Sequence, residues 1–166
     1  MDGEYPMSVV HAHRGASTYA PENTMPAFRL AMEMGTDGFG NDIHLTKDKV
    51  FVVSHDASIA RCSDGNVLIH ESTLEELRRF DFGSWFSERF AGTSISTLDE
   101  MLDLTSRMTV LNIELKPPLP AGQELDEALG ILYEALNRHH CTERAIITFC
   151  RDWAARLKEL FPDLRT

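Results

Sequence analysis

The 166-residue sequence predicts an α/β protein built on a parallel sheet. Two observations carry that class. Short β-rich stretches alternate with segments of helical periodicity, and strands joined through helices run parallel with right-handed crossovers. Polar, chemically capable residues also collect just after the strands: Arg14, His44, His55 and Lys116. Parallel α/β folds place their sites at the carboxyl ends of strands. This arrangement fits either a barrel or an open sheet.

The elements follow in order. Ser8-Val-Val-His-Ala-His13 reads as a strand entering Arg14-Gly15. Ala20-Pro-Glu-Asn-Thr24 is a loop and helix start, with Thr24 as N-cap and Pro26 tolerated in the first turn. Ala27, Phe28, Ala31 and Met34 recur at helical spacing until Gly35 ends the helix. A strand over about residues 37–44 puts Gly40, Asp42 and His44 on one face, because side chains alternate. A Lys-Asp-Lys turn leads to a third strand over about 50–54.

Residues 56–95 are less regular. Thr73-Leu-Glu-Glu76 is a capping box opening a short helix through Phe80, followed by the aromatic loop Asp81-Phe-Gly-Ser-Trp-Phe86. Thr97-Leu-Asp-Glu100 is a second capping box, with a helix to about Thr105. A strand over 109–115 runs into Lys116-Pro117-Pro118. A helix over 124–139 aligns Leu125, Leu129, Leu132 and Leu136. A strand over 145–149 and a helix over 152–160, striped by Trp153, Leu157 and Leu160, complete the pattern before Pro162.

Composition narrows the function classes. Apolar residues make up 43% and charged residues 25%, ordinary for a globular protein. No apolar run approaches the ~18 residues of a membrane span. The N-terminal Met-Asp-Gly-Glu-Tyr-Pro is acidic and unlike a signal peptide, so a cytoplasmic setting is expected. A net charge of -10 argues against nucleic acid or an anionic membrane, although one local Arg can still hold a small anion. Cys62, Cys141 and Cys150 show no paired spacing and read as reduced thiols.

His13-Arg14-Gly15, Pro21-Glu-Asn-Thr24, Gly35-Thr-Asp37, Asp42-Ile-His-Leu-Thr46-Lys-Asp48, Val53-Ser-His55-Asp56 and Glu114-Leu-Lys116 together resemble the glycerophosphodiester phosphodiesterase family of the PLC-like phosphodiesterase superfamily. Ala27-Phe28, Gly83-Ser-Trp-Phe86 and Ile95-Ser-Thr-Leu98-Asp-Glu100 extend the likeness to nearly the whole chain. The resemblance implies a TIM (β/α)8-barrel with a small insertion after the third strand, here about residues 57–95, in one domain over residues 1–166. It implies hydrolysis of glycerophosphodiesters to glycerol 3-phosphate and an alcohol with a divalent cation, Mg2+ or Ca2+. By resemblance, His13 and His55 are the catalytic histidines. Arg14 and Lys116 contact the substrate phosphate, and Asp42 and Glu114 ligate metal.

Elementary chemistry suits those roles. A phosphodiester is an anionic, poor electrophile, and a hard cation held by carboxylates neutralises it. Paired imidazoles can remove and supply protons near neutral pH, and a guanidinium can grip a phosphate in its planar fork. Among the remaining candidates, His11 reads as structural and His44 as a solvated strand end. His70, His139 and His140 read as surface residues. Asp37 supports a loop, Glu22 and Asn23 shape the loop over the site, and Trp85, Phe86 and Phe90 pack the insertion.

Two departures from the family pattern stand out. The family has Glu-x-Asp where this chain has Gly40-Asn41-Asp42, so one metal-ligating carboxylate is missing and weak metal binding with low or absent activity is expected. A catalytically weak relative that binds a phosphodiester or a partner, or an enzyme acting on phospholipids, is the alternative. The chain is also short, since such barrels usually need ~250 residues. Five barrel strands are expected, ending at Phe149, with Pro162-Asp-Leu-Arg-Thr166 leading toward another. The barrel is then truncated after the fifth strand and its helix. The first and fifth strands would keep open edges through which copies can associate.

Overall fold

Strand β2, Gly38–Leu45, is buried along its whole length and organises the sheet around it. The computed structural model describes residues 8–105, 108, 110–148 and 151–166. Strand β1, His11–His13, pairs in parallel with one side of β2. Strand β3, Phe51–Val53, pairs with the end of β2. Strand β4, Val110–Leu115, lies parallel on the other side of β2, and β5, Ala145–Thr148, follows parallel to β4. Helix α1, Met25–Glu33, links β1 to β2. The short helices α2, Leu74–Leu77, and α3, Leu98–Asp103, lie between β3 and β4. Helix α4, Gln123–Arg138, links β4 to β5, and α5, Arg151–Leu160, follows.

The five-stranded sheet thus has the order β1-β2-β4-β5, with β3 off that path. This corrects the expectation of five barrel strands. β3 runs antiparallel to β2, with Val52 opposite His44 and Phe51 opposite Leu45. The reason is the short turn between them. A parallel return needs a crossover of about a dozen residues or more, whereas an antiparallel one needs only a tight turn. Four strands therefore run parallel in barrel fashion. Beyond β5 the chain begins to pair again: Arg165 bridges Ile146 in parallel, and the Ile147 amide donates to the Arg165 carbonyl at 2.8 Å. The outer edge of β5 is partly paired.

Both capping boxes form as expected, with Thr73 and Thr97 accepting from the amides of Glu76 and Glu100. Thr24 occupies the N-cap of α1 but does not cap it. Its hydroxyl donates back to the Pro21 carbonyl at 2.5 Å and pins the Pro-Glu-Asn loop instead. Thr109 and Phe149, expected in strands, lie outside the described residues.

Parity along β2 separates core from site. Phe39, Ile43 and Leu45 face the helices, where they meet Phe28 and Ala31 of α1, Leu102 of α3 and Leu129, Leu132 and Leu136 of α4. Phe28 and Phe39 pack with ring centroids 5.2 Å apart. Each such side chain contributes about 1.5–3 kcal/mol by leaving water. A second apolar cluster of Val52, Ile59, Ile69, Leu77, Phe82 and Ile95 gives the 57–95 segment its own small core, anchored by β3. Trp85, Phe86 and Phe90 stack edge to face within that segment, and the Trp85 indole donates to the Phe82 carbonyl. Among the described residues, no helix is long and apolar enough to cross a membrane.

Candidate active site

The site lies where β1, β2 and β4 end. β1 delivers His13 opposite Gly40 of β2, and β2 delivers Asp42 opposite Glu114 of β4. After His13 the chain turns sharply through Arg14 and Gly15, at φ 60° and 78°. Positive φ is uncommon for a side chain such as Arg and costs free energy unless neighbours hold it. Here the Arg14 amide donates to the Gly40 carbonyl at 2.8 Å, and its carbonyl accepts from the Asn23 amide at 3.0 Å. The turn is fixed from both sides.

The side chains form a connected set of charges. Arg14 Nη1 donates to Glu22 Oε1 at 3.0 Å, and Arg14 Nε stands 3.5 Å from Asp42 Oδ2. Lys116 Nζ reaches Asp42 Oδ1 at 3.1 Å and Glu114 Oε1 at 2.6 Å. Although burial works against its charge, those hydrogen bonds hold the Lys116 ammonium above its ordinary range. Arg14 Nε and Asp42 Oδ2 are buried without a hydrogen-bond partner and face each other as an ion pair.

His55 enters from the hairpin. The Ser54 amide donates to the Asp42 carbonyl at 3.0 Å, which ties the end of β3 to β2. His55 Nδ1 lies 2.6 Å from Asp56 Oδ1. A carboxylate only accepts, so Nδ1 carries the proton and Nε2 is left for chemistry. Arg61 then joins the set: Nε donates to Asp56 Oδ2 at 2.6 Å, while Nη1 and Nη2 grip Glu22 Oε2 and Oε1 at 2.9 and 2.8 Å. Arg61, followed by burial working against it and then Arg14, sets a lowered pKa for Glu22. Thus all six sequence candidates, His13, Arg14, Asp42, His55, Glu114 and Lys116, fall in one neighbourhood.

Arg61 was not among the candidates, because it belongs to none of the recurring motifs and sits in the irregular segment. Other expectations change as well. His44 is 3% exposed rather than solvated, since β3 folds back beside it. Its Nε2–H donates to the His55 carbonyl at 3.2 Å, and burial lowers its pKa. His139 is also largely covered, its ring lying 2.8 Å from Asp99 and 3.2 Å from Asp103 of α3. Asp37 does support its loop, accepting from the Val10 amide. Asn41 points away from Asp42 and donates to Asn23.

Gly40 bears on whether the site can hold a metal. A Cβ built there would meet His13 Nδ1 at 3.4 Å, an ordinary contact, and the position has no positive φ. Neither a bulge nor a close backbone approach requires glycine, so the missing carboxylate is a chemical absence. Among the described residues, no group of three or more His, Cys, Asp or Glu is arranged to hold a metal ion. Asp42 and Glu114 remain, and the Lys116 ammonium already occupies an oxygen of each. Ca2+ takes six to eight oxygens and Mg2+ an octahedron completed by water, each anchored by carboxylates free to face the ion. This donor set does not fit tight binding of either ion.

Parallel strands with a cationic and imidazole cluster at their carboxyl ends mark an α/β protein with its candidate site at the strand ends. Comparison with known proteins narrows this. The sequence pattern of the glycerophosphoryl diester phosphodiesterase family matches residues 13–166, and the chain belongs to that family. It is 38% identical over 160 residues to a glycerophosphodiester phosphodiesterase of Caldanaerobacter subterraneus, covering 95% of this chain and 65% of that protein. A Bacillus subtilis glycerophosphodiester phosphodiesterase is 31% identical, covering 93% and 57% respectively. Among solved structures, a glycerophosphodiester phosphodiesterase from Agrobacterium tumefaciens superposes with TM-score 0.84 at 26% identity, over 96% of this chain and 65% of that one. An Oleispira antarctica phosphodiesterase in complex with sn-glycerol-3-phosphate gives TM-score 0.82 at 32% identity, over 95% and 64%. The chain therefore spans somewhat less than two thirds of these relatives' length.

Proposed function

We propose that this chain carries the phosphate-binding and proton-transfer part of a glycerophosphodiester hydrolase, which releases glycerol 3-phosphate and an alcohol. The observation that supports it best is the linked set Arg14–Asp42–Lys116–Glu114, with His13 beside it and His55 tied in through Asp56, Arg61 and Glu22. Arg14 and Lys116 offer the phosphate its positive charge. One imidazole of His13 and His55 accepts the proton of the attacking oxygen, which is either a water or a glycerol hydroxyl whose cyclic phosphate a water then opens to glycerol 3-phosphate. The other protonates the departing alkoxide as the P–O bond breaks. Low turnover is part of the proposal, because Gly40 leaves the metal site one carboxylate short. The free thiols of Cys62 and Cys141 suit a reducing, cytoplasmic compartment.

Gly40 also favours a second reading, a relative that binds the phosphodiester without turning it over. Hydrolysis of glycerophosphocholine with and without added Mg2+ or Ca2+ separates the two. Release of glycerol 3-phosphate supports the first reading, and binding without release supports the second. Activity confined to phospholipids rejects both in favour of a lipid-directed enzyme.

A further inference from the structure

We infer that Arg61 is a positioning residue that locks His55 and Arg14 into a single unit through two shared carboxylates. The inference rests on the proposed roles of His55 and Arg14, and it goes beyond them by assigning their alignment to a side chain of the 57–95 segment.

The geometry is a two-sided clasp. Asp56 divides its oxygens, Oδ1 to His55 Nδ1 at 2.6 Å and Oδ2 to Arg61 Nε at 2.6 Å. Glu22 does the same on the other side, accepting from Arg14 Nη1 at 3.0 Å and from both terminal nitrogens of Arg61. A guanidinium holds its donors in one rigid plane, so gripping Glu22 and Asp56 together fixes their relative placement. An ammonium is a single point on a flexible stem and cannot span both. The cavity beside Glu22, His55, Asp56 and Arg61 measures about 10 Å³, room for a single water at most, so these side chains pack directly on one another while their outer faces stay in solvent.

The sequence holds Arg61 in place locally. It ends a short 3-10 turn, Ile59–Arg61, whose Ser58 hydroxyl accepts from the Ala60 amide at 3.3 Å. Ile59, 1% exposed, anchors that turn in the second apolar cluster. The small core of the insertion thereby has a consequence at the site. It holds the cation that holds Asp56, and Asp56 in turn selects the His55 tautomer with Nε2 free. Carboxylate partners orient imidazoles in this way at other reactive sites.

The test is NMR of 15N-histidine-labelled protein, with the His55 ring assigned by its loss in His55→Gln. Wild type should show His55 predominantly protonated on Nδ1 in its neutral form. Arg61→Gln should release Asp56 and shift the ring toward the Nε2–H tautomer, with inorganic phosphate binding weakened three- to tenfold as Arg14 loosens. Asp56→Ala should shift the tautomer at least as far. Arg61→Lys should resemble Arg61→Gln, and it carries the same test if the glutamine variant does not fold. A wild-type tautomer ratio in a folded Arg61 variant overturns the inference. None of these readouts needs turnover, so a failure of the hydrolysis assay would sink the proposed function while leaving this result to stand or fall separately.

Discussion

Two glycines, two residues apart on the same face of β2, are glycine for opposite reasons. A Cβ at Gly38 would sit 2.1 Å from the Val110 carbonyl oxygen of β4, far inside contact distance and against backbone that cannot swing away. A Cβ at Gly40 would meet nothing closer than 3.4 Å. The lower part of the face is thus empty because the neighbouring strand requires it. The upper part, beside Asp42 and Glu114, has room for a side chain and lacks one. Architecture dictates the first vacancy, and the second is a matter of chemistry.

The sharpest way to break this comparison is Gly38→Ala against Gly40→Ala. The first forces β2 and β4 apart and should cost about 3 kcal/mol. That corresponds to a melting temperature lower by roughly 6–12 °C for a chain of this size. The second should remain within ~1 kcal/mol of wild type, since a strand interior tolerates alanine where space permits. Thermal unfolding of both variants decides it. Equal losses would mean that Gly40 is also an architectural residue.

The next effect is smaller and concerns ligand binding. Gly40→Glu places a third carboxylate beside Asp42 and Glu114, with only the His13 ring to make way. Affinity for Mg2+ or Ca2+, measured by titration calorimetry, should rise about tenfold, or ~1.4 kcal/mol. Turnover of glycerophosphocholine should rise with it. Unchanged affinity and turnover would remove the ground for proposing low turnover from Gly40.

The two glycines also mark what could be read from the sequence. Gly40 was legible because parity puts it on the face of Asp42 and the family resemblance implies a Glu there. Gly38 was not, since its cause is a carbonyl of β4, more than seventy residues away in the chain. The same division holds elsewhere. Strand and helix positions followed from local periodicity, and both capping boxes followed from four-residue motifs. The direction of β3 was in principle available from the length of the turn before it, but the alternating strand–helix pattern outweighed that signal. The burial of His44 depended on that hairpin. Arg61 depended on tertiary placement alone, because no local pattern says that a residue in an irregular segment will reach Glu22 across 39 positions of sequence.

The smallest expected effect tests whether the clasp contributes to stability as well as alignment. The Arg61 hydrogen bond, joined by that from His55, lowers the Asp56 pKa from 3.8 to about 2. The unfolded chain therefore takes up the proton first as pH falls. Stability from this carboxylate is fully present above about pH 4 and is lost as pH falls through the folded value near 2. Asp56 and Arg61 are 36% and 44% exposed, so solvent screening keeps the contribution below ~1 kcal/mol. Urea midpoints across that window should fall more steeply for wild type than for Asp56→Asn, with the two curves converging at the acid end. Parallel curves would assign Arg61 to alignment alone, and the fold's stability would then rest on the two apolar clusters without help from the charges above them.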